Sequence, residues 1–174
     1  LRNETPQALM TSIAEMEKRI ARAQIIMFPG GFSAGDEPEG SGKFIATLFR
    51  NPALAEALES LLYKRDGLVL GVCNGFQALI KLGLLPYGHI QPLKADSPTL
   101  TYNTIGRHLS RMVDTKVVST MSPWFANVKA GDIHTVAISH GEGRFVASPE
   151  QIRQLAAKGQ IATQYVDLNG KATY

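Results

Sequence analysis

The sequence predicts an α/β fold, a mostly parallel sheet flanked by helices, and two observations lead to it. From Leu1 to Gly83, short apolar runs alternate with stretches of helical period in the order helix, strand, helix, strand, helix. That alternation implies βα units joined by right-handed crossovers. The second observation is the stretch Leu68-Val-Leu-Gly-Val-Cys-Asn-Gly-Phe-Gln-Ala-Leu-Ile-Lys-Leu82. Three apolar residues there run into a glycine, and Phe76, Leu79, Ile80 and Leu82 then recur at helical spacing before Gly83 offers a C-cap. Cys73, the one cysteine of the chain, sits at this junction of strand and helix.

Taken in order, Thr5 and Pro6 form an N-cap and first-turn pair, and Leu9, Ile13, Met16 and Ile20 mark one face of a first helix. Ile25 to Phe28 reads as a short buried strand that stops at Pro29-Gly-Gly31. Pro29 to Lys43 is a glycine-rich, acidic loop. Phe44, Ile45, Leu48 and Phe49 suggest a helical turn or two, and a further helix runs from about Pro52 to Lys64 with Leu54, Leu58, Leu61 and Leu62 inside. Beyond Gly83 the pattern is less regular. Leu84 to Leu100 is rich in Pro and Gly, and Thr99 to Arg111 is polar without a clear period. Val117-Val118 and Thr135 to Ser139 read as strands, Pro149 to Lys158 as a short helix with Ile152 and Leu155 inside, and Ile161 to Asp167 as another strand before a turn at Leu168 to Lys171.

The chain has 174 residues, enough for one domain with a sizeable core; 44% are apolar and 19% charged. No apolar run approaches the roughly 20 residues of a membrane span. No leader is visible, and a lone cysteine forms no internal disulfide, so a reducing cytosol is the expected compartment. Net charge is +3 with the basic residues scattered, so neither nucleic acid nor membrane is expected as a partner. His89, His108 and His134 show no metal-ligand spacing, and no metal site is expected. Trp124, after Ser122-Pro123, reads as a packing residue.

Gly71-x-Cys73-x-Gly75 has the form of a nucleophile elbow, in which small flanking residues let the chain turn sharply and present the central side chain. Backbone N–H groups at the start of the following helix, beginning with that of Asn74, can then stabilise a thiolate and an oxyanion. Cysteine is also among the most buried residue types, so a structural thiol is the competing reading. In the loop, Gly42-Lys43 is followed by Phe44 and the position five before Gly42 is Glu37, so the phosphate-binding G-x-x-x-x-G-K-[ST] pattern fails. Asp36, Glu37 and Glu39 further disfavour a phosphate. Gly30-Gly31 directly after a strand can instead supply backbone donors to an oxyanion, or be a plain surface turn.

Four stretches together carry a resemblance: Phe28-Pro-Gly-Gly-Phe-Ser-Ala-Gly-Asp-Glu-Pro-Glu-Gly-Ser-Gly-Lys-Phe44, Gly71-Val-Cys-Asn-Gly-Phe-Gln77, Ser97-Pro-Thr-Leu-Thr-Tyr-Asn-Thr-Ile-Gly-Arg-His108 and Ser139-His-Gly-Glu-Gly-Arg-Phe145. They closely resemble the glutamine amidotransferase domains of phosphoribosylformylglycinamidine synthases, over most of the chain. The resemblance implies a flavodoxin-like class I amidotransferase fold in which Cys73 attacks the side-chain amide of L-glutamine. Gly31 and Asn74 would form the oxyanion hole, and Gln77, Ser139 and His140 would contact the substrate. It implies no cofactor in this domain. ATP and magnesium would act in a synthetase domain or subunit that receives the ammonia and converts formylglycinamide ribonucleotide to formylglycinamidine ribonucleotide.

The family completes its triad with a C-terminal His-x-Glu motif that residues 1–174 lack, together with the opening strand of its fold. The expectation is therefore an incomplete domain. His140-Gly-Glu142 has the same spacing, although the resemblance places that block in the glutamine-binding loop. Arg107 and Arg144 would anchor substrate or meet the synthetase. Two rival readings stay open: a non-catalytic partner-binding fragment, and a related cysteine hydrolase of the same fold. The latter usually place His directly after the cysteine, where this chain has Asn74.

Overall fold

A computed structural model describes residues 1–31 and 42–173. The chain divides into two units, Leu1–Ala95 and Asp96–Tyr174. The acidic part of the loop after Pro29, with Asp36, Glu37 and Glu39, lies outside the described residues.

In the first unit, α1 (Pro6–Ile20) begins as its sequence dictates, with the Thr5 hydroxyl accepting from the Ala8 amide at 3.1 Å and Pro6 in the first turn. It ends against Arg65, whose guanidinium donates to the carbonyls of Ile20 and Ala23 at 2.8 and 2.7 Å. That satisfies acceptors a helix C-terminus otherwise leaves open. β1 (Ile25–Phe28) pairs in parallel with β2 (Leu68–Gly71), Ile25 opposite Leu68 and Phe28 opposite Gly71. Between them come α2 (Lys43–Phe49) and α3 (Pro52–Tyr63), the latter capped by Asn51. α4 (Asn74–Leu82) follows β2 and ends at Gly83 in the left-handed conformation, and the single turn α5 (Leu84–Tyr87) comes next.

The core forms where these faces meet. Leu54, Leu58 and Leu61 of α3 are fully buried with Ile20, Phe28, Phe49, Leu79 and Leu82. Each such side chain contributes roughly 1.5–3 kcal/mol by leaving water. The Phe28 and Phe49 rings meet edge to face with centroids 4.8 Å apart. β1 is less buried than its composition suggests. Ile26 and Phe28 reach the core, but Ile25 and Met27 are more than half exposed, because successive side chains of a strand point to opposite faces.

In the second unit every strand pairing is antiparallel, so the parallel register is confined to β1 and β2 among the described residues. β3 (Thr99–Thr101) pairs with β6 (Arg144–Val146), and β4 (Leu109–Val117) lies between β5 (Ile133–His140) and β7 (Thr163–Val166). α6 (Pro149–Ala157) starts with a reciprocal capping box between Ser148 and Gln151. Two expectations need correcting here. Ile152 of α6 is exposed rather than inside, and only Leu155 is half-buried. Trp124 stands in a surface 3-10 turn, Pro123–Phe125, and is 41% exposed rather than buried.

Candidate active site

The strand-to-helix junction is built by close approach. β2 ends at Gly71, the Val72 amide donates to the Phe28 carbonyl at 2.9 Å, and the Gly75 amide donates back to the Val72 carbonyl at 2.9 Å. A Cβ on Gly75 would lie 2.0 Å from the Phe28 carbonyl oxygen, so only glycine lets the first turn of α4 sit this close to β1. Between the two glycines Cys73 has φ 54° and ψ −113°, a region that residues with a side chain rarely occupy. The turn leaves Cys73 exposed at the N-cap of α4, which excludes a buried structural thiol.

Backbone from α4 and from the turn after β1 flanks Cys73. Asn74, 3% exposed, is the first residue of α4, and first-turn N–H groups have no intrahelical acceptor. The Gln77 amide, one turn further, donates to the Cys73 carbonyl at 3.1 Å. On the other side lies Gly30. A Cβ there would meet Cys73 Cβ at 3.0 Å and Sγ at 3.6 Å, whereas a Cβ on Gly31 would enter open space. Gly30 is thus the loop residue that packs directly on the nucleophile. Its signal was the Gly-Gly pair itself.

Ser139 and His140 belong to the second unit, at the end of β5. There the loop Tyr102–His108 holds both. His108 Nε2 lies 2.9 Å from the Ser139 hydroxyl, and His140 Nδ1 lies 2.9 Å from Asn103 Oδ1. The Asn103 amide nitrogen donates to the His140 and Arg107 carbonyls at 2.8 and 3.0 Å, and its main-chain N–H donates to the Gly141 carbonyl at 2.9 Å. At Nδ1, where a cysteine–histidine–acid relay would place its carboxylate, His140 meets a neutral amide. Arg144 donates through Nε to the Tyr102 carbonyl at 3.2 Å. Asn103, His140, Arg111 and Arg144 are among the residues lining a cleft of about 670 Å³ in this unit. Among the described residues no group of three His, Cys, Asp or Glu side chains is placed to hold a metal ion, and no helix is long and apolar enough to cross a membrane.

A positive-φ cysteine, exposed between a parallel strand and a helix N-terminus, is the architecture of a nucleophile elbow. Residues 3–174 match the CobB/CobQ-like glutamine amidotransferase domain. The chain belongs to that family. It is 34% identical over 159 residues to the phosphoribosylformylglycinamidine synthase subunit PurQ of Acaryochloris marina, an alignment covering 90% of this chain and 60% of that protein. The PurQ subunit of Aquifex aeolicus is 32% identical over 155 residues, covering 89% and 61%. Among solved structures, a chain of PurLQS from Thermotoga maritima superposes with a TM-score of 0.59 at 28% identity, covering 85% of this chain and 58% of that one. The mixed α/β arrangement accords with the amidotransferase fold. The chain spans about 60% of the length of the curated relatives it matches.

Proposed function

We propose that the protein hydrolyses L-glutamine through Cys73 and supplies the ammonia to a synthetase partner in formylglycinamidine ribonucleotide synthesis. The observation that carries this reading is the exposed Cys73, held at positive φ at the head of α4. Its thiolate attacks the carboxamide carbon of glutamine; a C–S bond forms and the carbonyl oxygen takes the negative charge. The N–H of Asn74 and a donor from the Gly30-Gly31 turn face that charge. Collapse breaks the C–N bond, the nitrogen takes a proton and ammonia leaves, and water then cleaves the γ-glutamyl thioester to glutamate and the free thiol. Gln77, Ser139 and His140 bind the amino acid. The general base and acid are assigned, by the family resemblance, to a C-terminal His-x-Glu motif distinct from His140-Gly-Glu142. The names of the relatives, subunits of phosphoribosylformylglycinamidine synthases, support a synthetase partner; on this reading ATP and magnesium act in that partner.

Intact-mass spectrometry after incubation with a diazo-ketone analogue of glutamine tests this. The expected result is one adduct, mapped to Cys73 and blocked by excess glutamine. Failure of both this chain and one extended through a His-x-Glu motif to label would overturn the reading.

A further inference from the structure

We infer that Asn103 is the positioning residue for His140: its side-chain amide fixes the imidazole as the Nδ1–H tautomer and leaves Nε2 to accept an N–H of the bound amino acid. The inference rests on the reading that His140 contacts glutamine, and it specifies the chemistry of that contact.

A carboxamide has two N–H donors at nitrogen and two lone pairs at oxygen. At Asn103 all four are used. Nδ2 lies 3.0 Å from the Arg107 carbonyl and 2.8 Å from the His140 carbonyl, and both partners only accept. The nitrogen end is therefore assigned by its neighbours, since the flipped amide would set oxygen against two carbonyl oxygens. Oδ1 then faces His140 Nδ1 at 2.9 Å and the Gly143 amide at 3.4 Å. An oxygen that can only accept requires a hydrogen on Nδ1. A neutral imidazole carries one N–H, so Nε2 is left with its lone pair.

Nor can the pair drift. Asn103 is tied at both ends of its own backbone, donating to the Gly141 carbonyl at 2.9 Å and accepting from the Gly106 amide at 3.0 Å. A Cβ on Gly143 would come within 2.3 Å of the imidazole, so the ring is confined from that side as well. The same loop reaches Ser139 through His108. An acceptor at Nε2 favours an ammonium or carboxamide N–H over a carboxylate oxygen.

The test is long-range ¹H–¹⁵N correlation of the histidine rings in the full chain, above the pH range where imidazole titrates, with and without glutamine. Wild type is expected in the Nδ1–H form, and that form is expected to be lost in Asn103→Leu. Asn103→Leu should also raise KM for glutamine by about tenfold, the worth of one hydrogen bond, with a much smaller change in kcat. The wild-type spectrum needs no variant to fold. His140 in the Nε2–H form overturns the positioning role whatever the protein binds. An Asn103-dependent Nδ1–H form whose resonances ignore glutamine keeps that role and overturns the glutamine contact.

Discussion

Gly30 backs onto Cys73 so closely that a single added carbon would lie 3.0 Å from the nucleophile's Cβ. Alanine at position 30 can be accommodated only if the elbow gives by a few tenths of an ångström, and the thiol moves with it. Because catalysis depends steeply on the placement of reacting atoms, Gly30→Ala should lower the turnover of glutamine by about tenfold or more in the complete enzyme. Thermal unfolding should move little, and steady-state kinetics set beside a melting curve checks the separation.

Gly75→Ala should behave differently. Its Cβ would fall 2.0 Å from the carbonyl oxygen and 2.5 Å from the carbonyl carbon of Phe28, and backbone cannot swing aside. The expected cost is at least the upper end of ordinary overpacking, about 3 kcal/mol. Urea denaturation against wild type measures it, and a loss below about 1 kcal/mol would show that α4 and β1 are less tightly opposed than described.

Core and surface leucine-sized side chains should separate just as clearly. Leu58 of α3 is fully buried, so Leu58→Ala leaves a cavity and should destabilise by about 2–5 kcal/mol. Ile152→Ala on α6 removes a side chain that is 37% exposed and should cost about 1 kcal/mol or less. Denaturation midpoints of the two variants give the comparison.

Acid should act weakly but directionally on α6. Hydrogen bonds from Arg153 and then from Gln154 hold the Glu150 carboxyl below its ordinary range. A carboxylate depressed in the folded state adds stability above its unfolded pKa and loses it as pH falls through the folded value. Both partners are exposed, so water screens the effect. Glu150→Gln should therefore flatten a small part of the acid limb of the stability profile and leave neutral stability almost unchanged, as pH-resolved thermal melts would show.

The first unit was legible because spacing and punctuation agree in it. Thr5-Pro6, Asn51-Pro52 and Gly83 mark boundaries that the apolar period of α1, α3 and α4 confirms. The second unit lacks such agreement. β4 runs from Leu109 to Val117 but was visible only at its end, since Arg111 and Met112 break the alternation and most of the strand is not buried. β3 and β6 are three residues each, too short to carry a period. At the site, the elbow was readable because its residues are sequence neighbours. The bond between Asn103 and His140 was not, because it spans 37 positions and depends on donor and acceptor geometry that leaves no pattern along the chain.

Phe28 belongs to two structures at once. Its ring packs edge to face on Phe49 in the core, while its carbonyl accepts from Val72 and abuts Gly75 at the turn that bears Cys73. Through Phe28 the strained backbone at Cys73 is tied to the packed aromatic pair. Heat should therefore extinguish reactivity and core packing in one cooperative event, without an intermediate range in which the protein is folded but its thiol has slackened.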